Sequence, residues 1–182
     1  MASGATVYHL QIDLSDVDRN VYESLDLRLA RHPSETMRFL LTRVIAYCLC
    51  YEEGIAFSKG LATADEPAVW IKDLQGNLRV WIEVGSPTPA RLHKASKASP
   101  KVIVFTQHDP AQLQKAAQGE RIHKSEAIEI FAVPAALLDE LDGLTNRNAK
   151  WVFVHTSGEI YVTVGNDSVT GQITRHGLTI RV

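Results

Sequence analysis

The stretch DEPAVWIKDLQGNLRVWIEVG, residues 65–85, decides the reading of the fold. Its middle, Asp73-Leu74-Gln75-Gly76-Asn77, is a turn signal between two runs of apolar and β-branched residues, which predicts a β-hairpin. Alternation puts Val69, Ile71 and Trp81 on one face and Trp70, Val80, Ile82 and Val84 on the other. A hairpin that needs cover on both faces sits inside a sheet rather than at its edge. Its open end carries acids on both strands, Asp65 and Glu66 on the first and Glu83 on the second. A carboxylate leaves water at high cost unless it is paired or bound to a cation. The flanks Trp81, Ile82 and Val84 place Glu83 near the core boundary, where lone acids are rare.

With the turn centred on Gln75, Trp70 faces Val80 and Asp65 faces Gly85, so Glu83 is the diagonal neighbour of Asp65. Diagonal neighbours lie about 7–8 Å apart, which lets two carboxylates share one divalent cation. A slip of one residue exchanges Asp65 for Glu66, and Pro67 holds Glu66 extended without settling the choice. Two readings compete for Glu83: a metal-binding or catalytic role, and a buried salt bridge to Lys94 or Arg91. Asp65 or Glu66 taken alone reads as a solvated loop acid.

Working outward, Ser34 follows Pro33 and can cap a helix with Glu35 in its first turn, a favourable place for an acid. Glu35 reads equally well as a helix-start charge or as a further ligand. Met37, Leu40, Leu41, Val44, Ile45 and Cys48 keep helical spacing, and Gly54 is the stop signal. Ile55 to Phe57 is a short strand. After the hairpin, a helix is predicted from Pro89 to Ala98, with Arg91, Lys94 and Lys97 at near-helical spacing and Lys101 beyond its end. That stripe is either a solvated face or a surface for phosphates, and Lys94 could hold a water or a phosphate oxygen. Val102 to Thr106 is a continuous apolar run, a strand covered on both faces.

Residues 34–106 therefore read helix, strand, strand, strand, helix, strand. An amphipathic hairpin precedes them in the first thirty residues. A helix starting at Asp109 and Pro110 and ending near Gly119, a strand from Ile128 to Val133, and a helix from Pro134 to Gly143 follow. From Lys150 the chain reads as a meander through Trp151–Val154, Ile160–Val164 and segments around Ile173 and Ile180. The predicted class is mixed α/β, a mixed central sheet with flanking helices, in one domain spanning 1–182.

Composition narrows the function only slightly. A formal charge of −2 with 45% hydrophobic residues gives no global electrostatic case for nucleic acid, although a local basic stripe suffices. Cys48 and Cys50 lie two apart on one predicted helix and cannot bridge each other, which fits reduced thiols and a cytoplasmic location. MASGATVYHL lacks the pattern of a signal peptide. The apolar run Met37–Tyr51 is interrupted by Arg38, Thr42 and Arg43 and is too short and too charged for a bilayer, so no membrane partner is expected. Neither a His-Glu-x-x-His nor a Cys-x-x-Cys zinc pattern is present, nor a Gly-rich phosphate loop or Gly-x-Ser-x-Gly.

Four segments, HPSET (32–36), GLATADEPAVW (60–70), WIEVGSP (81–87) and RLHKA (91–95), together and in this order resemble the signature stretches of the YaeQ family. The resemblance covers most of the chain. It implies a fold similar to the PD-(D/E)XK nucleases, with a restriction-endonuclease-like αβββαβ core over approximately 34–106. It further implies that Asp65 and Glu83 bind Mg²⁺ and that Glu35 joins them from the first helix. The pattern of the PD-(D/E)XK nucleases asks for a lysine two residues after the second acid, where Gly85 stands, and Lys94 is the candidate replacement. Pro67 follows the acids rather than preceding them. Two functions result. One is a Mg²⁺-dependent phosphodiesterase or nuclease, with catalytic Asp65, Glu83 and Lys94 and phosphate contacts from Arg91 and Lys97. The other is a non-catalytic interaction module on a degenerate nuclease fold, in which the acids tie Arg91 or Lys94 into the core and β-rich ends meet a protein partner.

Overall fold

In the computed structural model, residues 4–59 and 65–181 are described. Two long strands open the chain, β1 (Thr6–Asp16) and β2 (Val21–Arg31), paired antiparallel. Their alternation sends Tyr8, Leu10, Ile12 and Leu14, with Leu25, Leu27 and Leu29, to one buried face. The other face is mostly polar and points to solvent, as period-two patterning requires, with Val7 and Tyr22 exposed among its polar residues.

Helix α1 (Met37–Leu49) begins two residues later than its sequence signals suggest. The N-cap is Thr36, whose hydroxyl accepts from the Phe39 amide at 3.1 Å, and the Ser34 hydroxyl is engaged with the His32 ring instead. Glu35 therefore lies outside the helix and is not a first-turn charge. The helix also stops at Cys50 rather than Gly54, because Arg19 donates to Cys48 O and Tyr51 O and satisfies its last carbonyls. Gly54, at φ +91°, serves another purpose: a Cβ there would stand 2.0 Å from Lys72 O.

The next elements are β3 (Ile55–Phe57), β4 (Val69–Lys72), β5 (Leu78–Val84), α2 (Pro89–Ala98) and β6 (Lys101–Thr106), in the order read from the sequence. They are followed by α3 (Pro110–Ala117), β7 (Glu129–Ala132), α4 (Ala135–Leu144), β8 (Asn148–Thr156), β9 (Glu159–Val164), β10 (Asp167–Gln172) and β11 (Thr174–Gly177).

Two mixed sheets result. One runs β11-β7-β6-β5-β4-β3, with β5, β6 and β7 mutually parallel and β5 inside the sheet. The other runs β10-β9-β8-β1-β2 and is joined by parallel pairing of β1 with β8. The N-terminal hairpin and the C-terminal meander are thus one sheet rather than two appendages. β11 leaves that meander to pair with β7, and Ile180 lies in no strand.

The hairpin register differs by one residue from the expected one. Trp70 faces Trp81, Val69 faces Ile82, and the ladder shifts between Ile71 and Lys72. The cause lies in the turn, where the Asp73 carboxylate accepts from Gln75 N at 3.0 Å and Asn77 N at 2.8 Å, building its own hydrogen-bonded loop. A slip of one exchanges faces. Val69, Ile71, Val80, Ile82 and Val84 pack against α1 and the five-stranded sheet, whereas Trp81 packs with Leu92 and Ala95 of α2.

Helix α1 is wedged between the sheets, with Leu40, Leu41, Val44 and Ile45 fully buried. Charged side chains hold both of its ends. Glu35 Oε1 accepts from Arg43 Nε at 2.8 Å, and Arg43 also reaches Ala30 O at 3.0 Å. At the other end Asp16, wholly inaccessible to solvent, accepts from Arg19 Nε at 2.7 Å and pairs with His155 Nδ1 at 2.9 Å. Among the described residues no helix is long and apolar enough to cross a membrane.

Two outcomes follow. Removing one partner of a buried ion pair strands the other charge, at about 3–5 kcal/mol. Urea denaturation of Arg43→Ala should show a loss of that size, most of it recovered when Glu35→Met is combined with Arg43→Met. Asp18 provides a pH test. Its carboxylate accepts from the amides of Ser157 at 2.7 Å and Gly158 at 2.9 Å, in the left-handed two-residue turn between β8 and β9. The Gly158 and Ser157 bonds hold its pKa below the ordinary carboxylate value. A depressed acid contributes stability above the unfolded pKa and loses it as pH falls through the folded one. Asp18→Asn should therefore lower Tm at pH 7, and its gap to the parent should close on acidification below about pH 4.

Candidate functional site

β5 sends alternate side chains to opposite sides of the six-stranded sheet, so Trp81 and Glu83 share the side that faces α2. Glu83 is only 5% exposed. Its Oε1 accepts from the Trp81 indole Nε1 at 2.6 Å and from Arg91 Nε at 2.8 Å. Arg91 is placed by the start of α2, where the Thr88 hydroxyl accepts from the Arg91 amide at 3.2 Å and Pro89 supplies the preset first helical residue. The guanidinium lies 5.7 Å from the centre of the Trp81 ring and donates to Glu66 O at 2.7 Å. One arginine thereby bridges both arms of the hairpin's open end.

Asp65 precedes β4 and stands clear of the ladder, its side chain 78% exposed. Its carboxylate is paired with Lys94, one turn along α2 from Arg91. That hydrogen bond, the Lys94 charge and the charge of Arg91 hold the Asp65 carboxyl below the usual range. The Glu66 carboxylate turns away toward β3 and accepts from Lys59 N at 3.3 Å. Of the two candidate first acids, Asp65 is the one facing α2.

The structure does not bring Glu35 to this cluster. Glu35 lies on the α1 side, 4% exposed, with Oε1 on Arg43 and Oε2 accepting from His32 N at 3.1 Å. Strand alternation puts Glu83 on the other side of the sheet. Gly85 is also explained. It adopts φ +98°, and a Cβ would meet the Phe39 ring at 3.3 Å. A lysine there would be strained in its backbone and crowded at its base. Lys97 is exposed in the last turn of α2, and Lys101 opens β6, 3.7 Å from Glu129, so the basic stripe divides.

Mg²⁺ needs several oxygen ligands in near-octahedral geometry. As arranged, Asp65, Glu83 and Glu35 do not supply them, because each carboxylate is engaged by a cationic side chain and Glu35 lies across the sheet. Among the described residues no group of three or more His, Cys, Asp or Glu side chains could hold a metal ion. What the cluster can do is fix charges: Glu83 and Arg91 form a buried brace, and Asp65 and Lys94 an exposed pair beside it. The role of the Trp81 indole was missed from the sequence, although its two-residue spacing from Glu83 puts both on one face in any register. Part of the GLATADEPAVW segment, residues 60–64, lies outside the described residues.

Comparison with known proteins agrees with this architecture. Residues 1–173 match the family described as YaeQ protein. The YaeQ protein of Escherichia coli (strain K12), itself described as uncharacterized, is 36% identical over 111 residues, which span 61% of this chain and 61% of that protein. The YaeQ of Salmonella typhi is 27% identical over 175 residues, 96% of this chain and 97% of that one. The crystal structure of YaeQ from Pseudomonas syringae superposes with a TM-score of 0.83 at 32% identity, covering 94% and 95% of the two chains. That of YaeQ from Xanthomonas axonopodis pv. citri gives 0.84 at 26% identity, covering 96% and 99%. With its mixed α/β architecture of two mixed sheets, this chain belongs to the YaeQ family.

Proposed function

We propose that this chain is a non-catalytic interaction module built on a degenerate nuclease-like frame. The order α1-β3-β4-β5-α2-β6, with the four strands adjacent in one sheet, supports a restriction-endonuclease-like core. The observation that carries the functional reading is the pairing of Glu83 with Arg91 at 2.8 Å, beside the pairing of Asp65 with Lys94. Both acids of the nuclease pattern are spent on side chains of α2, and the lysine position is closed by the backbone of Gly85. A partner protein would be met at the sheet edges. β2 is eleven residues long and ends the five-stranded sheet, leaving one side of its backbone for strand addition.

A second reading, a Mg²⁺-dependent phosphodiesterase acting on nucleic acid, is favoured by the convergence of Asp65, Glu83, Arg91 and Lys94 on one patch. Asp65 and Glu83 would hold the ion and Lys94 would act in catalysis, while Arg91 and Lys97 would meet phosphates and make binding steeply salt-dependent. This reading requires Mg²⁺ to take carboxylates that Lys94 and Arg91 now hold.

Calorimetric titration with Mg²⁺, run beside incubation with single- and double-stranded DNA and RNA, separates the two. The interaction reading predicts no Glu83-dependent heat and no cleavage. Mg²⁺-dependent cleavage by the parent, lost in Glu83→Gln, would overturn it.

A further inference from the structure

On the α1 side of the six-stranded sheet, away from the Asp65 and Glu83 cluster, a cavity of about 250 Å³ opens between the two sheets. It lies toward the N-terminal ends of β5 and β6, marked by Val80 and Lys101, whereas Glu83 and Gly85 lie at the opposite end of β5. Its walls are apolar: Leu49 from the end of α1, Ile71, Ile103 and Ile173, and the stacked rings of Phe105 and Phe131, whose centres are 5.2 Å apart. The volume sits just below the roughly 300–1,000 Å³ of small-ligand pockets, which limits an occupant to a few apolar groups.

The rim is charged with both signs, by Arg19, Lys101, Glu52 and Glu129. These four charges converge on Cys50, which also lines the cavity: burial pushes its thiol pKa up, and all four act on it. They are not equally committed. Arg19 is held by Asp16 at 2.7 Å and by two main-chain carbonyls. Glu129 accepts from Arg175 at 2.8 Å and faces Lys101 only loosely, at 3.7 Å. Lys101 thus keeps unspent donors on an ammonium that can make three bonds. Among the described residues, the Glu52 carboxylate takes part in no hydrogen bond or ion pair.

One loosely paired cation, Lys101, and one anion without a side-chain partner, Glu52, therefore stand at the mouth of an apolar chamber. A simple anion would meet Glu52 and Glu129, and a simple cation would meet Lys101 and Arg19. A zwitterion with an apolar substituent meets neither repulsion. We propose that this cavity binds a free α-amino acid with an aliphatic or aromatic side chain. Its carboxylate lies on Lys101, its ammonium on Glu52, and its side chain against Phe105 and Phe131.

The test is a ¹H–¹⁵N NMR titration of the full chain with L-phenylalanine and L-leucine. The controls are glycine, N-acetyl-L-phenylalanine, which lacks the ammonium, and L-phenylalaninamide, which lacks the carboxylate. The free apolar amino acids should give saturable shifts centred on the amides of Cys50, Ile103 and Phe131. Glycine and each blocked form should bind at least about tenfold more weakly, the worth of one charge-assisted hydrogen bond or a buried side chain. Lys101→Ala should erase discrimination against the amide and Glu52→Ala discrimination against the N-acetyl form. Both residues are exposed, so the variants keep the fold. Absence of saturable shifts with the free amino acids, or equal binding of glycine or of either blocked form, would overturn the proposal.

Discussion

A carboxylate leaves water only when something replaces the water, and this protein meets that constraint in the same way three times. Asp16, Glu35 and Glu83 are 0%, 4% and 5% exposed. Each accepts from the Nε of an arginine: Arg19 at 2.7 Å, Arg43 at 2.8 Å and Arg91 at 2.8 Å. Each arginine also donates to at least one main-chain carbonyl of another segment. Arg19 reaches Cys48 O and Tyr51 O, Arg43 reaches Ala30 O, and Arg91 reaches Glu66 O. The three pairs are therefore struts. Two fix the ends of α1 to the five-stranded sheet, and the third fixes α2 and the segment before β4 to the central strand β5. Such pairs add little net stability over a well-packed apolar replacement, but losing one partner is costly. What they contribute is position.

This constraint also shapes the patch at the open end of the β4-β5 hairpin. There the inner acid, Glu83, is braced by Arg91 and the Trp81 indole, and the outer acid, Asp65, by Lys94. At Gly85 the left-handed backbone and the adjacent Phe39 ring leave no ordinary place for a larger side chain. Charge that could be offered to an ion is used within the protein. The cavity on the other side of the sheet is the reverse case, with Glu52 exposed and without a side-chain partner among the described residues at its mouth and Lys101 held only loosely by Glu129 at 3.7 Å.

Much of this was legible in the residues. The start of α2 at Pro89 was read correctly, and Thr88 and Pro89 cap and preset its first turn. The burial of Glu83 followed from Trp81, Ile82 and Val84, and a salt bridge to Arg91 was one of its two readings. Other features depend on interactions that local patterns do not encode. The hairpin register turned on the Asp73 side chain replacing main-chain partners in the turn. Glu35 was misplaced because Thr36 competes with Ser34 for the cap, and because its partner Arg43 lies two turns further on. The parallel pairing of β1 with β8 joins the two ends of the chain without any connecting turn to announce it.

The most direct test is a double-mutant cycle on Glu83→Gln and Arg91→Met, read by urea denaturation with and without Mg²⁺. If the carboxylate belongs to the arginine, the coupling energy should fall in the range of about 0.5–3 kcal/mol found for residues in one salt-bridge network and stay the same in both conditions. A coupling near zero, or one that disappears when Mg²⁺ is added, would show that the acid answers to an ion instead.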